Sequence, residues 1–284
     1  MSSPLSFQRK TCRLCDSKKI KLALSLAKTP PANAFVPANQ LQHEQDRYPL
    51  DIGFCESCQH VQLLEVVSPE VLFRDYVYVS GTSPVFVEHF KKYAEYVQSD
   101  FKLSPSAFVF EIGSNDGTLL SFFKKSGCSV LGVDPALKIA EDATARGIPT
   151  LPRFFSSSLV DEVLTNHPQP KVIIANNVFA HIDDLDEVAR GVCKLLDPNE
   201  GIFVIEFSYL ADVIEKNLFD TIYHEHLCYH SLKPLRQFFQ KHGMEVIDTL
   251  RVPSHGGSLR VVAQVKGARR PVSDRVESLI AFEK

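Results

Sequence analysis

Four cysteines near the start of the chain have the spacing of metal ligands. Cys12 and Cys15 form one C-x-x-C pair, and Cys55 and Cys58 form another after a gap of 39 residues. Each pair puts two thiolates on one tight turn, and two such turns complete the tetrahedral four-sulfur site of structural zinc. Four protein ligands leave no open coordination position. We therefore expect the zinc to stabilise the fold and to take no part in catalysis.

A glycine-containing turn follows an apolar run in the middle of the chain. The two read V-F-E-I-G-S-N-D-G over residues 109–117, and Asp134 ends the next apolar run, 21 residues after Gly113. Glycine permits close approach to the backbone, and an acidic residue at this distance can bind both hydroxyls of a ribose. The turn fits E-x-G-x-x-x-G of class I S-adenosylmethionine-dependent methyltransferases better than G-x-G-x-x-G, because Asn115 stands at the middle glycine position. The expected cofactor-binding residues are Glu111, Gly113, Ser114, Asn115, Asp116, Gly117, Asp134 and Asn177.

The densest group of acids and bases is Y-H-E-H-L-C-Y-H at residues 223–230. The zinc-protease pattern H-E-x-x-H is excluded, because Cys228 stands where its second histidine would be. His226 and His230 are four residues apart and could share a helical face as ligands of a second metal, and a polar cap on a surface helix is the purely structural alternative. We favour a catalytic acid/base cluster, because the segment follows a predicted strand at the ligand-facing edge of a sheet.

The segment N-N-V-F-A-H at residues 176–181 lies at the end of another predicted strand. His181 could contact a substrate there, or it could simply lie near a helix cap at Asp183. The segment has neither N-P-P-Y nor D-P-P-Y, the usual signature of enzymes that methylate the amino groups of nucleobases. That class of methyltransferase is therefore not expected.

Alternating strands and helices are predicted to carry these groups. Apolar runs at 107–112, 129–134, 171–176 and 201–207 alternate with amphipathic stretches at 117–125, 136–146, 156–166 and 183–195, with a short strand at 148–151. This order predicts an α/β fold with a parallel sheet covered on both faces. Together with the E-x-G-x-x-x-G turn it predicts a class I methyltransferase Rossmann-like sheet. A helix at 232–242 and strands at 245–250 and 258–265 would close the sheet, and 274–282 begins to look helical. The expected domains are 1–65 (zinc-binding), 66–105 (helical connector), 106–266 (methyltransferase) and 267–284 (start of a C-terminal region).

Composition and charge exclude several classes of protein. The 284 residues are 44% hydrophobic and 23% charged, which is ordinary for a globular protein of about two domains. No apolar run approaches the roughly 20 residues of a membrane helix, and the N-terminus has no apolar core of a secretory signal. A net charge of −3 lacks the basic excess of a nucleic-acid-binding protein. We expect a cytoplasmic protein that binds neither membranes nor nucleic acid.

Five motifs together resemble one enzyme family. They are the paired cysteines, E-I-G-S-N-D-G-T-L-L (111–120), N-N-V-F-A-H (176–181), D-T-I-Y-H-E-H-L-C-Y-H-S-L (220–232) and H-G-G-S-L-R (255–260). In combination they are similar to the C-methyltransferases that act on nucleotide-linked deoxysugars. The resemblance implies zinc at the four cysteines and S-adenosylmethionine at residues 111–117 and Asp134. It also implies Tyr223, Glu225 and His226 in the active site, and Tyr76 or Tyr78 in contact with the sugar.

Members of this family usually carry a further α/β domain that helps to hold the nucleotide-sugar, and this sequence stops at Lys284. We expect a partner or a missing domain to complete the substrate site. The implied reaction removes a proton alpha to a ketone, stabilises the enolate and transfers a methyl group to carbon. The alternatives are a zinc-knuckle binding module or RNA methyltransferase on a methyltransferase-like fold, and an NAD oxidoreductase.

Overall fold

A small antiparallel sheet forms the N-terminal part of the protein, in a computed structural model that describes residues 5–73, 76 and 78–284. The first five strands are β1 (Ser6–Gln8), β2 (Ile20–Thr29), β3 (Tyr48–Cys55), β4 (Val61–Leu63) and β5 (Glu65–Val67). β2, β3 and β4 are antiparallel neighbours, and β1 pairs with β5. The first C-x-x-C turn precedes β2, and the second begins at the last residue of β3, which brings the two turns to the same end of this sheet.

Two helices connect this sheet to the rest of the chain, α1 (Pro69–Phe73) and α2 (Pro84–Asp100). Pro84 occupies the first turn of α2, and the Ser83 hydroxyl accepts a hydrogen bond from the N–H of Phe86, so the helix begins where proline and a serine cap favour it. The prediction that 66–105 is helical is correct for α2 and wrong at its start. Residues 66 and 67 are β-branched valines in β5, where they pair with β1.

The remaining elements form a seven-stranded sheet with helices on both faces, except for one two-residue strand, Cys228–Tyr229. In chain order they are β6 (Phe108–Ile112), α3 (Thr118–Lys125), β7 (Ser129–Val133), α4 (Leu137–Ala145), β8 (Thr150–Leu151), α5 (Ser157–Asn166), β9 (Val172–Asn176), α6 (Leu185–Leu195), β10 (Ile202–Ser208), α7 (Leu210–Glu215), β11 (Cys228–Tyr229), α8 (Leu232–Lys241), β12 (Met244–Val252), β13 (Ser258–Val265) and α9 (Asp274–Phe282). The strand order is β12-β13-β10-β9-β6-β7-β8. All pairs from β10 to β8 are parallel, and β13 is antiparallel to both of its neighbours. The predicted class I methyltransferase sheet is therefore confirmed.

Alternate residues of the central strands face two separate cores. Val109, Ile174 and Val204 pack on one face with α2 and α3, whereas Phe110, Ile173 and Phe203 pack on the other with α5, α6 and α8. All six side chains are fully buried, as expected for parallel strands covered on both faces. The carboxyl edge of this sheet is thereby held rigidly. None of the described helices is long and apolar enough to cross a membrane.

β11 is the one strand of the second half of the chain that joins the N-terminal sheet. It pairs antiparallel with β4, so that this sheet has the order β11-β4-β3-β2. Residues 223–227, which precede it, form a turn and an extended stretch. The two helical interpretations of 223–230, a shared metal-binding face for His226 and His230 and a polar helix cap, are therefore wrong.

Candidate active site and metal centre

The four cysteines predicted to bind zinc lie together at one end of the N-terminal sheet. Their sulfur atoms are all within 4.8 Å of one another, at 3.5 Å for Cys12 to Cys58 and 3.6 Å for Cys15 to Cys55. Sulfurs bound tetrahedrally at about 2.3 Å from zinc are about 3.8 Å apart, so the group has the dimensions of a zinc site. It is the only group of three or more clustered metal-ligating side chains among the described residues.

A cavity of about 740 Å³ lies at the carboxyl edge of the seven-stranded sheet, where β6, β7, β9 and β10 end. This is the edge at which open α/β sheets bind ligands. Its walls bring together residues from distant parts of the sequence: Glu111, Gly113, Ser114, Asn115, Asp134 and Asn177 from the predicted cofactor set, His181, Tyr223 and His226 from the acid/base set, and Tyr76 and Tyr78. Asp116, Gly117 and Glu225 are not part of the wall.

The turn after β6 needs glycine at two positions. Gly113 has φ +67°, and a Cβ there would lie 2.3 Å from Val178 Cγ2. Gly117 has φ +73°, and a Cβ there would lie 2.7 Å from Ile148 Cγ2. Both values are left-handed, where other residues are strained, so the turn can pack closely against its neighbours only with glycine. Gly113 lies at the cavity, and Gly117 directly precedes α3.

Two buried carboxyl groups face the cavity. The Glu111 side chain is 3% exposed, and its Oε2 atom has no hydrogen-bond partner. Burial, and then the negative charges of Asp116 and Asp134, raise the pKa of Glu111 well above its usual range. The Asp134 carboxylate accepts hydrogen bonds from the N–H groups of Asn115 at 2.8 Å and Ala136 at 2.9 Å. Burial raises its pKa, and these two bonds partly offset that effect.

Asn115 and Asp116 hold the segment that contains Tyr78. The Asn115 amide accepts from the N–H of Ser80 at 2.9 Å and donates to the Tyr78 carbonyl at 2.9 Å. The Asp116 carboxylate accepts from the N–H of Gly81 at 3.1 Å. The hydrogen bonds of both side chains fix residues 78–81 beside the turn. That the two residues also contact the cofactor stays a prediction. Asn115 still contributes to the cavity wall.

Several polar atoms of the cavity wall are buried without a hydrogen-bond partner among the residues that the structure describes. They are Glu111 Oε2, Ser114 Oγ, both amide atoms of Asn176 and Asn177 Nδ2. Leaving a buried polar group unpaired costs about 1–3 kcal/mol, so such a cluster indicates a ligand that would satisfy it. The pairing of an unpartnered carboxyl with hydroxyl and amide groups suits the cationic, amino-acid-bearing end of S-adenosylmethionine. The residues present therefore fit this cofactor.

Tyr223 and His226 form a hydrogen-bonded pair in the same cavity. His226 Nδ1 donates to the Thr221 carbonyl at 2.7 Å, so in the neutral ring Nε2 is the acceptor, and it receives the Tyr223 hydroxyl at 3.0 Å. Burial lowers the pKa of His226 to about 4, the Thr221 carbonyl opposes this, and His255 adds to it. Burial, and then Glu225, raise the pKa of Tyr223. The pair is therefore neutral in the free protein, and the lone pair of His226 Nε2 accepts the hydrogen bond of the Tyr223 phenol.

His181 lies against His226, with ring centroids 5.0 Å apart, and its other face stacks on Phe73 at 5.8 Å with an angle of 10°. Burial, and then the neighbouring His226, lower the pKa of His181 well below its usual range. His181 lines the cavity, so a ligand bound there could contact it, as the sequence predicts. A neutral imidazole there can donate one hydrogen bond to an anionic oxygen.

Glu225 points away from His226. Its carboxylate accepts from Asn33 Nδ2 at 2.7 Å and from the Tyr76 hydroxyl at 3.1 Å. Burial raises the pKa of Glu225, and these two hydrogen bonds oppose that effect. Glu225 therefore holds Tyr76 and Asn33 at the cavity wall, and the hydrogen bonds of the described residues do not include one from Glu225 to His226. Both Tyr76 and Tyr78 line the cavity, so the choice between them stays open.

Sequence reasoning missed His255 and Asn33, which also line the cavity. His255 has the left-handed φ of 50°, and its loop is held where Ser254 Oγ donates to Glu206 Oε1 at 3.2 Å. Glu206 is fully buried and also binds Arg260 at 2.7 Å. His255 belongs to the motif H-G-G-S-L-R (255–260), which contributed to the family resemblance, but the sequence alone indicated no role for this histidine. Asn33 lies 192 residues from Glu225, and the sequence around it gives no indication of the contact.

Comparisons with known proteins agree with this geometry. A zinc-binding domain model matches residues 12–73, and a methyltransferase domain model matches residues 87–249. The C-methyltransferase NovU of Streptomyces niveus is 34% identical over 273 residues, which are 96% of this chain and 65% of that protein. The chain therefore spans just under two thirds of the length of this relative.

Among solved structures, the PH0226 protein of Pyrococcus horikoshii OT3 is similar with a TM-score of 0.53 at 12% identity, covering 69% of this chain and 98% of that one. This likeness shows the fold alone. The clustered cysteines agree with the zinc-binding model. Since the methyltransferase model covers more than half of the chain, this protein belongs to the S-adenosylmethionine-dependent methyltransferase domain family, with a zinc-binding domain at its N-terminal end.

Proposed function

We propose that this protein is a C-methyltransferase that methylates a carbon alpha to a ketone in a nucleotide-activated deoxysugar. The observation that carries the proposal is that one cavity contains both the cofactor turn after β6 and the Tyr223–His226 pair. Methylation of carbon requires a base beside the methyl donor, because a C–H bond must be broken first. The 34% identity to a C-methyltransferase supports the same chemistry.

In this proposal Glu111, Ser114 and Asn177 hold the methionine end of the cofactor, and Asp134 holds its ribose. The support is that Glu111, Ser114 and Asn177 have unpartnered buried polar atoms at the cavity, and that Asp134 keeps lone pairs beyond its two backbone hydrogen bonds. S-adenosylmethionine supplies an electrophilic methyl group when bound. A cation beside buried Glu111 favours its ionised form, whereas the negative pyrophosphate of NAD would oppose ionisation, so this residue favours S-adenosylmethionine.

The Tyr223–His226 pair removes the proton alpha to the ketone. Tyr223 and His226 both line the cavity and the Tyr223 hydroxyl occupies Nε2, so we assign Tyr223 Oη as the atom that takes the proton while its own proton passes to His226 Nε2. The electron pair of the broken C–H bond becomes an enolate, whose carbon then forms the bond to the methyl group. His181, neutral and at the wall, is placed to donate a hydrogen bond to the enolate oxygen.

Tyr76 and Tyr78 are the proposed sugar contacts. Glu225 and Asn33 fix the hydroxyl of Tyr76 at the wall, whereas Tyr78 accepts a hydrogen bond at its backbone carbonyl and its ring lies near that of Tyr76. We further propose that a partner or an additional domain binds the nucleotide part, as the family resemblance implies. The proposed location is the cytoplasm, since all seven cysteines are free and thiolate ligands persist in reducing compartments.

The test is methyl transfer from trideuteromethyl S-adenosylmethionine to a set of nucleotide-linked ketosugars, with the product analysed by NMR. We expect a new carbon–carbon bond next to the carbonyl and loss of one alpha proton. A methyl group found on oxygen or nitrogen would overturn the proposal. So would transfer to RNA in its place, accompanied by RNA binding that weakens steeply between two salt concentrations.

A further inference from the structure

The reactive segment at residues 224–229 is held by the zinc-binding domain. β11, the end of this segment, extends the N-terminal sheet by pairing with β4, Cys228 opposite Gln62 and Tyr229 opposite Val61. One residue earlier, the Leu227 carbonyl accepts from the N–H of Leu63 at 3.0 Å. The segment therefore ends in an edge strand of the small sheet, although it follows β10 of the large sheet in sequence.

Side chains before β11 are anchored in the same domain. His224 is fully buried, and its Nε2 donates to the Tyr48 carbonyl at 3.2 Å. Glu225 accepts from Asn33 Nδ2 at 2.7 Å. His226 differs from its neighbours, because its ring turns to the cavity and to Tyr223. The position of His226 is thus set by contacts of the zinc-binding domain on both sides of it in the sequence.

Arg13 connects the zinc site to this segment directly. It lies within the first C-x-x-C turn, between Cys12 and Cys15, and is 1% exposed. Its Nη1 donates to the Leu227 carbonyl at 3.2 Å and to the Leu63 carbonyl at 2.6 Å. The same guanidinium therefore joins the metal-binding turn, β4 and the residue that follows His226.

Arg13 also reaches the other side of the cavity. Its Nε donates to Asp183 Oδ1 at 2.9 Å, and Asp183 lies at the cavity wall two residues after His181. A buried guanidinium is costly unless it is paired, so a displaced turn would leave this charge without partners. Arg9 binds Asp183 as well, at 3.1 Å, but its side chain is 20% exposed and its described hydrogen bonds do not include Leu227.

We propose that the zinc-binding domain positions the catalytic histidines and that Arg13 is the positioning residue. Zinc bound by the four cysteines fixes the turn that carries Arg13, and Arg13 fixes the Leu227 carbonyl and Asp183, the neighbours of His226 and His181. The cofactor turn after β6 belongs to the other sheet, so cofactor binding does not depend on this contact. The catalytic part of this inference rests on the proposed function, whereas its structural part does not.

Hydrogen exchange with mass spectrometry tests the structural part without any substrate. Zinc is removed from the whole chain with a chelator, and exchange is followed in the peptides that contain residues 224–229 and 108–112. We expect residues 224–229 to exchange at least tenfold faster without zinc, while residues 108–112 and the affinity for S-adenosylmethionine change less than threefold. Unchanged protection of 224–229 in zinc-free protein would overturn the proposal, and so would equal loss of protection in both peptides.

Arg13→Gln, with Arg9→Gln as its matched control, tests the residue itself while zinc is kept. Both variants lose a cation that pairs with Asp183, but only Arg13→Gln loses the bond to Leu227. We expect Arg13→Gln to retain about one zinc per chain, to exchange faster at 224–229, and to lose at least tenfold in kcat with an unchanged KM for S-adenosylmethionine. Arg9→Gln should change each quantity less than threefold, and Arg13→Lys should restore part of kcat.

Equal effects of the two glutamine variants would overturn the role of Arg13. If Arg13→Gln does not fold, the comparison is made between Arg13→Lys and Arg9→Lys, with exchange at residues 224–229 as the readout and the same criterion. If no ketosugar is methylated by the unaltered protein, the proposed function fails, and the exchange measurements still decide whether zinc and Arg13 position this segment.

Discussion

The Tyr223 hydroxyl donates to Nε2 of His226 at 3.0 Å, and the two rings are 4.1 Å apart between centroids. His226 Nδ1 is occupied by the Thr221 carbonyl, so the only basic nitrogen of the pair faces the phenol. In the proposed mechanism the two residues act as one proton acceptor. The pKa of Tyr223 is raised, so its hydroxyl keeps its proton in the free protein. Tyr223 can nevertheless serve as a base, because His226 Nε2 lies within hydrogen-bond distance and can accept that proton.

Replacing either member of this pair should stop proton removal. We expect Tyr223→Phe and His226→Asn to lower kcat by about 10²–10⁴-fold each, and the double variant to lose little more, since general-base removal has this magnitude and the two act together. Cofactor affinity should be unchanged. Tyr96→Phe, which removes a hydroxyl bound to Asp248 outside the cavity, is the control.

The same variants can be examined without methyl transfer. In heavy water the unaltered protein should exchange the alpha proton of a bound ketosugar for deuterium, and NMR follows the loss of that proton signal. The variants should not catalyse this exchange. If exchange and methylation both persist without Tyr223 and without His226, the pair is structural.

Asp134→Asn should weaken the binding of S-adenosylmethionine at least tenfold. The substitution keeps one oxygen for a backbone N–H and removes the charge, and hydrogen bonds to charged groups are worth about 1.5–3 kcal/mol each. Asp142→Asn, which alters an exposed carboxylate paired with Lys138, should have no effect in the same calorimetric titration. Equal affinities of the unaltered protein and Asp134→Asn would place the ribose elsewhere.

Binding of S-adenosylmethionine should release protons from Glu111. The pKa of this buried carboxyl is raised in the free protein, and a nearby cation favours its ionised form, so the affinity should increase with pH up to that raised pKa. Calorimetry in two buffers of different ionisation enthalpy measures the release. It should be smaller for S-adenosylhomocysteine, which lacks the sulfonium charge, and absent in Glu111→Gln. Identical release in Glu111→Gln would show that another group titrates.

Purified protein should contain about one zinc per chain, bound by four thiolates. Cys55→Ser should release the metal and destabilise the N-terminal sheet. We expect β6 to β10 to stay folded, because these strands pair with one another and the core on one of their faces contains none of the four cysteines. Cys193→Ser, at a cysteine outside the cluster, is the control and should retain the zinc. Folded protein without zinc, purified in the absence of chelators, would contradict this prediction.

Acid should destabilise the protein through buried histidines. Burial lowers the pKa of His230 to about 3 and that of His60 well below its usual range, so the unfolded chain binds more protons than the folded protein below the ordinary value of about 6.5. Each such histidine should reduce the free energy of unfolding by about 1.4 kcal/mol per pH unit as the pH falls below about 6.5. Urea unfolding between pH 7 and 4.5 measures this slope.

His230→Phe should lower that slope by the contribution of one histidine. The ring lies among Phe179, Phe207 and His60, so phenylalanine fits the chemistry of its surroundings. An unchanged slope in this variant would mean that His230 is not the group that takes up a proton on unfolding.

The sequence by itself determined the large sheet, the cofactor turn and the zinc ligands. Apolar runs of five to seven residues between amphipathic helices predict buried parallel strands, and β6, β7, β9 and β10 lie within one or two residues of their predicted positions. The turn after β6 and the cysteine pairs are local patterns in which spacing fixes geometry. Glycine at 113 is required by its left-handed backbone, and C-x-x-C brings two sulfurs onto one turn.

Only the tertiary structure decided which part of the protein holds residues 224–229. β11 has two residues and pairs with a strand more than 160 positions earlier, and so short a strand has no periodicity from which its partner could be predicted. For the same reason the contacts of Glu225, a predicted active-site residue, with Asn33 and Tyr76 could not be predicted from the sequence. Local patterns encode strands, helices and turns because their contacts are near in sequence, whereas the pairing of the zinc-binding sheet with residues 228–229 depends on how the two domains pack.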